Sequence, residues 1–296
     1  MECLWYFSPS LDASWNLSLE ETLLEGKFSS SEGVLLFYRN QRAIVLGKHQ
    51  NPYREVNWEI LEKQDPPLFR RITGGGAVYH DEGNLNFAFF QPRESFNKQK
   101  NLELVRDALG TLGVDLTITE RGDLFFHQWK VSGNALCYKK ERVLHHGTLL
   151  LEADQACLQK AFYVSETHRR LFHTPAVASV PSATVNLKDF FPLLTVSSIV
   201  EAILAQAKAR WGKVSFIENP FNYVSADQFQ RARSRHSSFS WVFEIMPVFT
   251  LVLPSGEGEL RVQEGIIVGV TGESSLKAYL GQRFTPGLLF QNQTSR

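Results

Sequence analysis

Three consecutive glycines stand between apolar runs in the stretch Arg70-Arg71-Ile72-Thr73-Gly74-Gly75-Gly76-Ala77-Val78-Tyr79-His80-Asp81-Glu82-Gly83-Asn84. Glycine weakens helix and strand alike, so a run of it in such a place needs a reason. One reason is close approach of bare backbone to a ligand, where amide N–H groups can meet phosphate oxygens. Arg70 and Arg71 put cationic charge beside the run, and a guanidinium can grip phosphate through two hydrogen bonds. The competing reading is a hairpin tip with two solvated arginines. No Gly-Lys-Ser/Thr follows, which excludes a Walker loop, and the spacing is not the G-x-G-x-x-G of a dinucleotide fold. Taken alone, these residues specify an anion site of no particular kind.

A second stretch reads Lys130-Val131-Ser132-Gly133-Asn134-Ala135, followed by His145-His146-Gly147-Thr148-Leu149-Leu150. A lysine heading a strand can present its ammonium to a carboxylate or phosphate and stabilise transferring charge, although a surface lysine is the ordinary alternative. The adjacent histidines invite a zinc reading. Neighbours on a strand point to opposite faces, however, and no third ligand is spaced nearby, so packed or hydrogen-bonded histidines are expected instead.

Lys plus Arg equals Asp plus Glu at 31 each, which argues against general affinity for nucleic acid or an anionic membrane. The cysteines Cys3, Cys137 and Cys157 show no CxxC spacing, so reduced thiols are expected. The first residues lack a basic and then apolar leader, and no apolar run reaches the length of a membrane span. A cytoplasmic enzyme is the expectation.

Apolar spacing predicts helices over 16–24, 102–112, 158–163 and 196–211. Short apolar runs predict strands at 34–38, 43–46, 85–90, 116–118, 123–126, 130–131 and 147–151, with only Asn86 interrupting the run 85–90. Further strands are expected at 249–253, 260–262 and 266–270, joined by a tight turn over 254–258, with a frayed tail over 291–296. Helices and strands alternate irregularly, which points to an α+β fold with a mixed, largely antiparallel sheet flanked by helices. The expected division is a catalytic domain over 1–241 and a small β-containing unit over 242–296.

In this order and at these separations, Arg-Arg-x-Thr-Gly-Gly-Gly-Ala-Val-Tyr-His-Asp-x-Gly-Asn, Lys-Val-Ser-Gly-x-Ala and His-His-Gly-Thr-Leu-Leu resemble the lipoate–protein ligase family. Gly47-Lys48-His49-Gln50-Asn51-Pro52-Tyr53 is similar to that family's upstream loop, and Asn16-Leu17 with Glu20-Glu21 to its first helix. The likeness is strong up to about residue 151 and looser to about 239. It implies a catalytic domain shared in outline with biotin ligases. It also implies activation of lipoate by ATP and transfer to a lysine of apo lipoyl domains, those of 2-oxoacid dehydrogenase complexes and of the glycine cleavage H protein.

By that resemblance Arg71, Gly76, Ala77, Val78 and Tyr79 bind nucleotide phosphates and adenylate, while Gly74 and Gly75 shape the loop. Lys130 contacts acyl carbonyl and α-phosphate. His80, Asp81 and Asn84 hold the site together, and Asp123 is a candidate for positioning Mg2+. Leu85, Phe87 and Leu149 are expected to line an apolar slot for the acyl tail. The chain departs from the family at Pro181 and Ala183, where arginines usually stand, and in a C-terminal unit shorter than the usual accessory domain. Weaker closure over ATP is therefore expected, unless Arg233 and Arg235 supply the charge. The rival readings are a lipoyl or octanoyl transferase using preformed adenylate or a carrier-bound acyl group, with Cys137 the one cysteine near the motifs, and a non-catalytic binder of lipoate or lipoyl domains.

Overall fold

The computed structural model describes residues 2–29, 32–253, 256, 258–285 and 287; Pro254, Ser255 and Glu257 of the expected turn and the tail 291–296 lie outside the described residues. The first half of the chain runs β1 (Glu2–Phe7), α1 (Ala13–Leu24), β2 (Glu32–Tyr38), β3 (Ala43–Leu46), α2 (Pro52–Glu55), α3 (Trp58–Lys63), β4 (Leu68–Arg70), β5 (Val78–His80), β6 (Asn84–Pro92) and α4 (Lys98–Gly110). It continues with β7 (Thr117–Ile118), β8 (Leu124–Phe126), β9 (Trp129–Ser132), β10 (Asn134–Tyr138), β11 (Arg142–Leu150), α5 (Gln155–Phe162) and α6 (Glu166–Arg170). Then come β12 (Phe172–His173), α7 (Val196–Trp211), β13 (Val214–Phe216), α8 (Ala226–His236), β14 (Phe249–Val252), β15 (Gly258–Gln263) and β16 (Ile266–Gly272). None of the described helices is long and apolar enough to cross a membrane.

The main sheet has the order β10-β11-β6-β2-β1-β13. Its β10, β11, β6 and β2 are antiparallel, whereas β2, β1 and β13 are parallel. Mixed pairing with helices on both faces is the α+β architecture that irregular alternation predicts. Small sheets β4-β3-β5 and β7-β8-β9 flank it.

Side chains on β6 alternate faces, as strand geometry requires. Leu85, Phe87 and Phe89 pack with Leu102, Val105, Ile199 and Ile203 of α4 and α7. Ala88 and Phe90 point the other way, against Leu19 and Leu23 of α1. Burying each such large side chain contributes roughly 1.5–3 kcal/mol. The alternation corrects the expected acyl slot: Leu85, Phe87 and Leu149 are fully buried in the α4/α7 core and face away from the cavity described below.

Helix α1 starts where the Asp12 carboxylate accepts from the Ser14 and Trp15 amides. It packs against α8, which is tied to it by Arg233 to Asp12 at 3.0 Å and by Arg235 and His236 to Glu21. Arg233 and Arg235 are thus engaged with α1 and its cap, away from the cavity.

The C-terminal strands form a sheet of order β12-β14-β15-β16, so β14 pairs with a strand that precedes it by some eighty residues. Phe249, Leu251, Leu260 and Phe284 share one apolar cluster with Ile44, Leu46, Tyr53 and Tyr79. The division expected at 242 falls within the helical turn Ser240–Glu244, whose Val242 and Phe243 belong to that same cluster.

Candidate active site

A cavity of about 410 Å³ lies on the α1 side of the main sheet. Its floor crosses four strands: Asn134 and Ala135 on β10, His146 and Gly147 on β11, Asn86 on β6, and Tyr38 on β2. Leu17 of α1, Val45 of β3 and the glycine loop Gly75–Val78 wall one part, while Thr119, Arg121, Asp123, Phe125 and Lys130 surround the other. Residues 177–180 and Ser182 close the cavity as a strap.

Lys130 reaches the cavity from β9, the third strand of a small antiparallel sheet whose β8 follows directly on Asp123. Its ammonium lies 2.9 Å from Asp123 Oδ1, and both side chains are about one-fifth exposed. A Cβ on Gly133 would stand 3.2 Å from Lys130 Cε, so the glycine of Lys-Val-Ser-Gly leaves room for the lysine side chain.

Arg71 is buried and spends its donors on the protein. Its Nε donates to Thr73 Oγ1 at 2.9 Å, one terminal nitrogen to the Val45 carbonyl at 3.0 Å, and the other to the Gly74 and Gly76 carbonyls at 2.6 and 2.7 Å. It therefore moulds the glycine loop from behind while its edge lines the cavity. Burial lowers the guanidinium pKa to about 10, which leaves it cationic at neutral pH. Gly75 sits at φ +86°, a left-handed conformation that explains glycine there. Arg70 lies wholly inside the protein, donating to the carbonyls of Gly47, Gln50 and Trp241, so it braces the upstream loop and does not reach the cavity.

His80 also faces the cavity. Its Nδ1 accepts from the Asn40 amide at 2.9 Å, and Nε2 is buried with no protein partner among the described residues. Burial, then the charge of Arg71, pushes its pKa down to about 3, so the ring is neutral and carries its proton on Nε2. His145 and His146 are hydrogen-bonded at both nitrogens, His145 to Asn101 and Asn134, His146 to Glu20 and Thr73.

The structure thus gathers Arg71, Gly75, Gly76, Ala77, Val78, His80, Asp123 and Lys130 around one cavity. Four other candidates stand outside its lining. Tyr79 alternates away from Val78 and His80 into the cluster of Ile44 and Leu68. Asp81 accepts from the Gly83 and Asp154 amides, Asn84 donates to Asn86, and Gly74 offers its carbonyl to Arg71. These four support the site's frame and do not reach its interior.

Sequence reasoning missed Tyr38, Asn86 and Arg121 as lining residues, while Ser179 begins the segment 179–187 that the family resemblance places over the adenylate. Asn86 had a signal, being the single polar residue in an apolar strand run. The Ser179 hydroxyl accepts from Ala77 N–H at 3.1 Å and Gln50 Nε2 at 2.9 Å, while its amide donates to Glu55 at 2.9 Å. The strap is also pinned where Lys130 N–H donates to the Ala183 carbonyl at 2.9 Å. A hydroxyl, backbone groups and the Glu55 carboxylate hold it, in the segment where the resembling family usually carries arginines.

A resident metal centre does not fit this lining. Asp123 is its one carboxylate among the described residues and is engaged by Lys130. Those residues hold no group of three or more His, Cys, Asp or Glu suited to a metal ion. Cys137 lies outside the lining, and burial pushes its thiol pKa up.

Comparison with known proteins gives the same picture. LipL1 of P. falciparum in complex with lipoate matches with TM-score 0.70 and 25% identity over 90% of this chain and 82% of that one. A lipoate–protein ligase A bound with ATP matches with TM-score 0.62 and 22% identity, covering 81% of this chain and 95% of the other. The bipartite lipoate protein ligase of T. acidophilum, studied with its E2 lipoyl domain, matches with TM-score 0.63 and 22% identity over 81% and 95%. The sequence itself matches the family described as Lipoyl protein ligase A/B catalytic domain across residues 12–208, and the chain belongs to that family.

Proposed function

We propose that this protein activates lipoate with ATP to lipoyl-AMP and transfers the lipoyl group to a lysine of an acceptor lipoyl domain. The observation that carries this reading is the shape of this cavity: a floor spanning four strands that ends at a cationic mouth of Lys130 and Arg121. Three strand intervals measure roughly 14 Å, a length suited to an extended medium-chain acid with its carboxylate at the cationic end. The relatives solved with lipoate and with ATP support the two substrates.

In the first half-reaction a carboxylate oxygen attacks the α-phosphorus and pyrophosphate leaves. Two anions must meet, so the Lys130 ammonium offsets their repulsion and the charge that develops. Arg71 acts through the loop it clamps, holding Gly75–Val78 against the phosphate. Magnesium would be held chiefly by phosphate oxygens, since the lining offers Asp123 alone. In the second half-reaction the neutral amine of the acceptor attacks the acyl carbon, AMP leaves, and the amine proton passes to solvent. Lys130 polarises the carbonyl. The E2 lipoyl domain studied with the T. acidophilum ligase supports E2 lipoyl domains as acceptors; the glycine cleavage H protein is proposed on the resemblance of the motifs alone.

A transferase confined to preformed adenylate is favoured by one feature, the strap over 177–182, which carries no basic residue. Lipoate-dependent exchange of labelled pyrophosphate into ATP decides between the two. Exchange supports the ligase. Transfer from synthetic lipoyl-AMP without exchange makes the protein a transferase.

A further inference from the structure

Between α1 and the glycine loop runs an unbroken line of buried hydrogen bonds. Both Glu20 carboxylate oxygens meet His146 Nδ1, at 2.8 and 2.9 Å. His146 Nε2 lies 2.8 Å from Thr73 Oγ1, which accepts from Arg71 Nε at 2.9 Å. The terminal nitrogen of Arg71 then holds the Gly74 and Gly76 carbonyls. Tyr38 adds a hydroxyl bond to Glu20 at 3.1 Å. Glu20 is 1% exposed and Thr73 likewise, so water cannot substitute for a lost partner.

Only one arrangement of protons satisfies every member with a neutral imidazole. A carboxylate only accepts, so Nδ1 carries the proton; Nε2 is then an acceptor, and the Thr73 hydroxyl donates to it while accepting from Arg71. A threonine that donates on one side and accepts on the other makes the line directional.

We infer that Glu20 and Thr73 are positioning residues: through His146 they orient Arg71, and through Arg71 the glycine loop, for the adenylate phosphate. The inference rests on the adenylate reading above but adds a remote carboxylate to it. Neither residue touches the reacting atoms. Removing either end should loosen the same loop, so the two losses should not add.

The test is a double-mutant cycle of Glu20→Ala and Thr73→Val, read as affinity for a non-hydrolysable lipoyl-adenylate mimic by calorimetry. Each single variant is expected to weaken binding about tenfold, the double variant by about tenfold as well, and Thr73→Ser to restore it. A hundredfold loss in the double variant, or wild-type affinity in both singles, overturns the inference. Should Glu20→Ala fail to fold, Glu20→Met takes its place, because it fills similar space and offers His146 no oxygen acceptor. Nitrogen chemical shifts of the His146 ring test the line without any ligand: Nε2 is expected unprotonated in the wild type and altered in Thr73→Val. A protonated Nε2 with no response to Thr73→Val contradicts the line, whereas a wild type with the expected ring but no affinity for the mimic contradicts the adenylate reading instead.

Discussion

Lys130 and Asp123 form an ion pair of 2.9 Å at the cationic mouth, each about one-fifth exposed. The lysine that the reaction needs is therefore held in place by a carboxylate which an anionic ligand must displace. Partly exposed pairs of this kind contribute on the order of 1 kcal/mol or less. Asp123→Asn is expected to leave the fold intact and to tighten binding of a lipoyl-adenylate mimic by up to about fivefold. Calorimetry reads this directly. A loss of affinity would mean that Asp123 itself serves the ligand.

Lys130→Ala is expected to keep the wild-type melting temperature and to lower lipoylation by about 10²–10³, the usual effect of removing one preorganised charge from a transition state. Single-turnover rates check it. Near-normal turnover removes Lys130 from the mechanism.

Gly75 and Gly76 separate backbone effects from fit. Gly75 has φ +86°, so Gly75→Ala is expected to destabilise the protein by about 1–2 kcal/mol. A Cβ on Gly76 would meet Ser179 Oγ at 3.1 Å and Ser179 Cα at 3.3 Å, with ordinary backbone beneath. Gly76→Ala is expected to leave urea stability nearly unchanged and to weaken adenylate binding by lifting the strap. Equal losses of stability in the two variants would contradict this.

Burial holds His80 and His145 at pKa values of about 3, below the ordinary value of 6.5. The unfolded chain takes up protons below pH 6.5 while the folded protein does not, so these two groups favour folding above that pH. Their contribution is lost as pH falls from 6.5 towards 3, by about 1.4 kcal/mol per unit for each group. Urea midpoints at pH 7.5, 6 and 5 should fall accordingly, and His145→Asn should flatten the slope. A pH-independent midpoint would contradict the neutral, buried assignment.

The lining of the cavity shows where sequence reading succeeds and where it stops. The glycine run, Lys130 and the histidine pair stand out because their residue types conflict with the local apolar pattern. Strands 34–38, 43–46 and 85–90 are legible because apolar runs announce them, and their observed bounds are Glu32–Tyr38, Ala43–Leu46 and Asn84–Pro92. Which face of β6 meets the cavity is not legible: period two separates Leu85 and Phe87 from Asn86 but does not say which set is core. Strand β1 and helix α8 went unread, the first because Glu2–Phe7 lacks alternation, the second because it is polar apart from Ala226, Phe229 and Ala232. Apolar spacing in α1 gives Glu20 no partner. The helix is buried on nearly every side, and the long-range partners His146 and Tyr38 give that carboxylate its place.

The neutral strap and the absence of cavity-lining residues beyond Ser182, among those described, bear on rate. The C-terminal strands pack on the cluster of Ile44 and Tyr53 and do not roof the cavity. Adenylate formation, which must juxtapose two anions, is expected to be slower than acyl transfer. Single-turnover reactions started from lipoate plus ATP and from lipoyl-AMP separate the steps. Equal rates would contradict the expectation.

The most direct measurement is the intact mass of an apo lipoyl domain after incubation with the purified protein, lipoate, ATP and magnesium. A gain of one lipoyl group, dependent on ATP and lost with Lys130→Ala, is the predicted result. An acceptor of unchanged mass, from protein that binds neither lipoate nor its adenylate, would contradict the account.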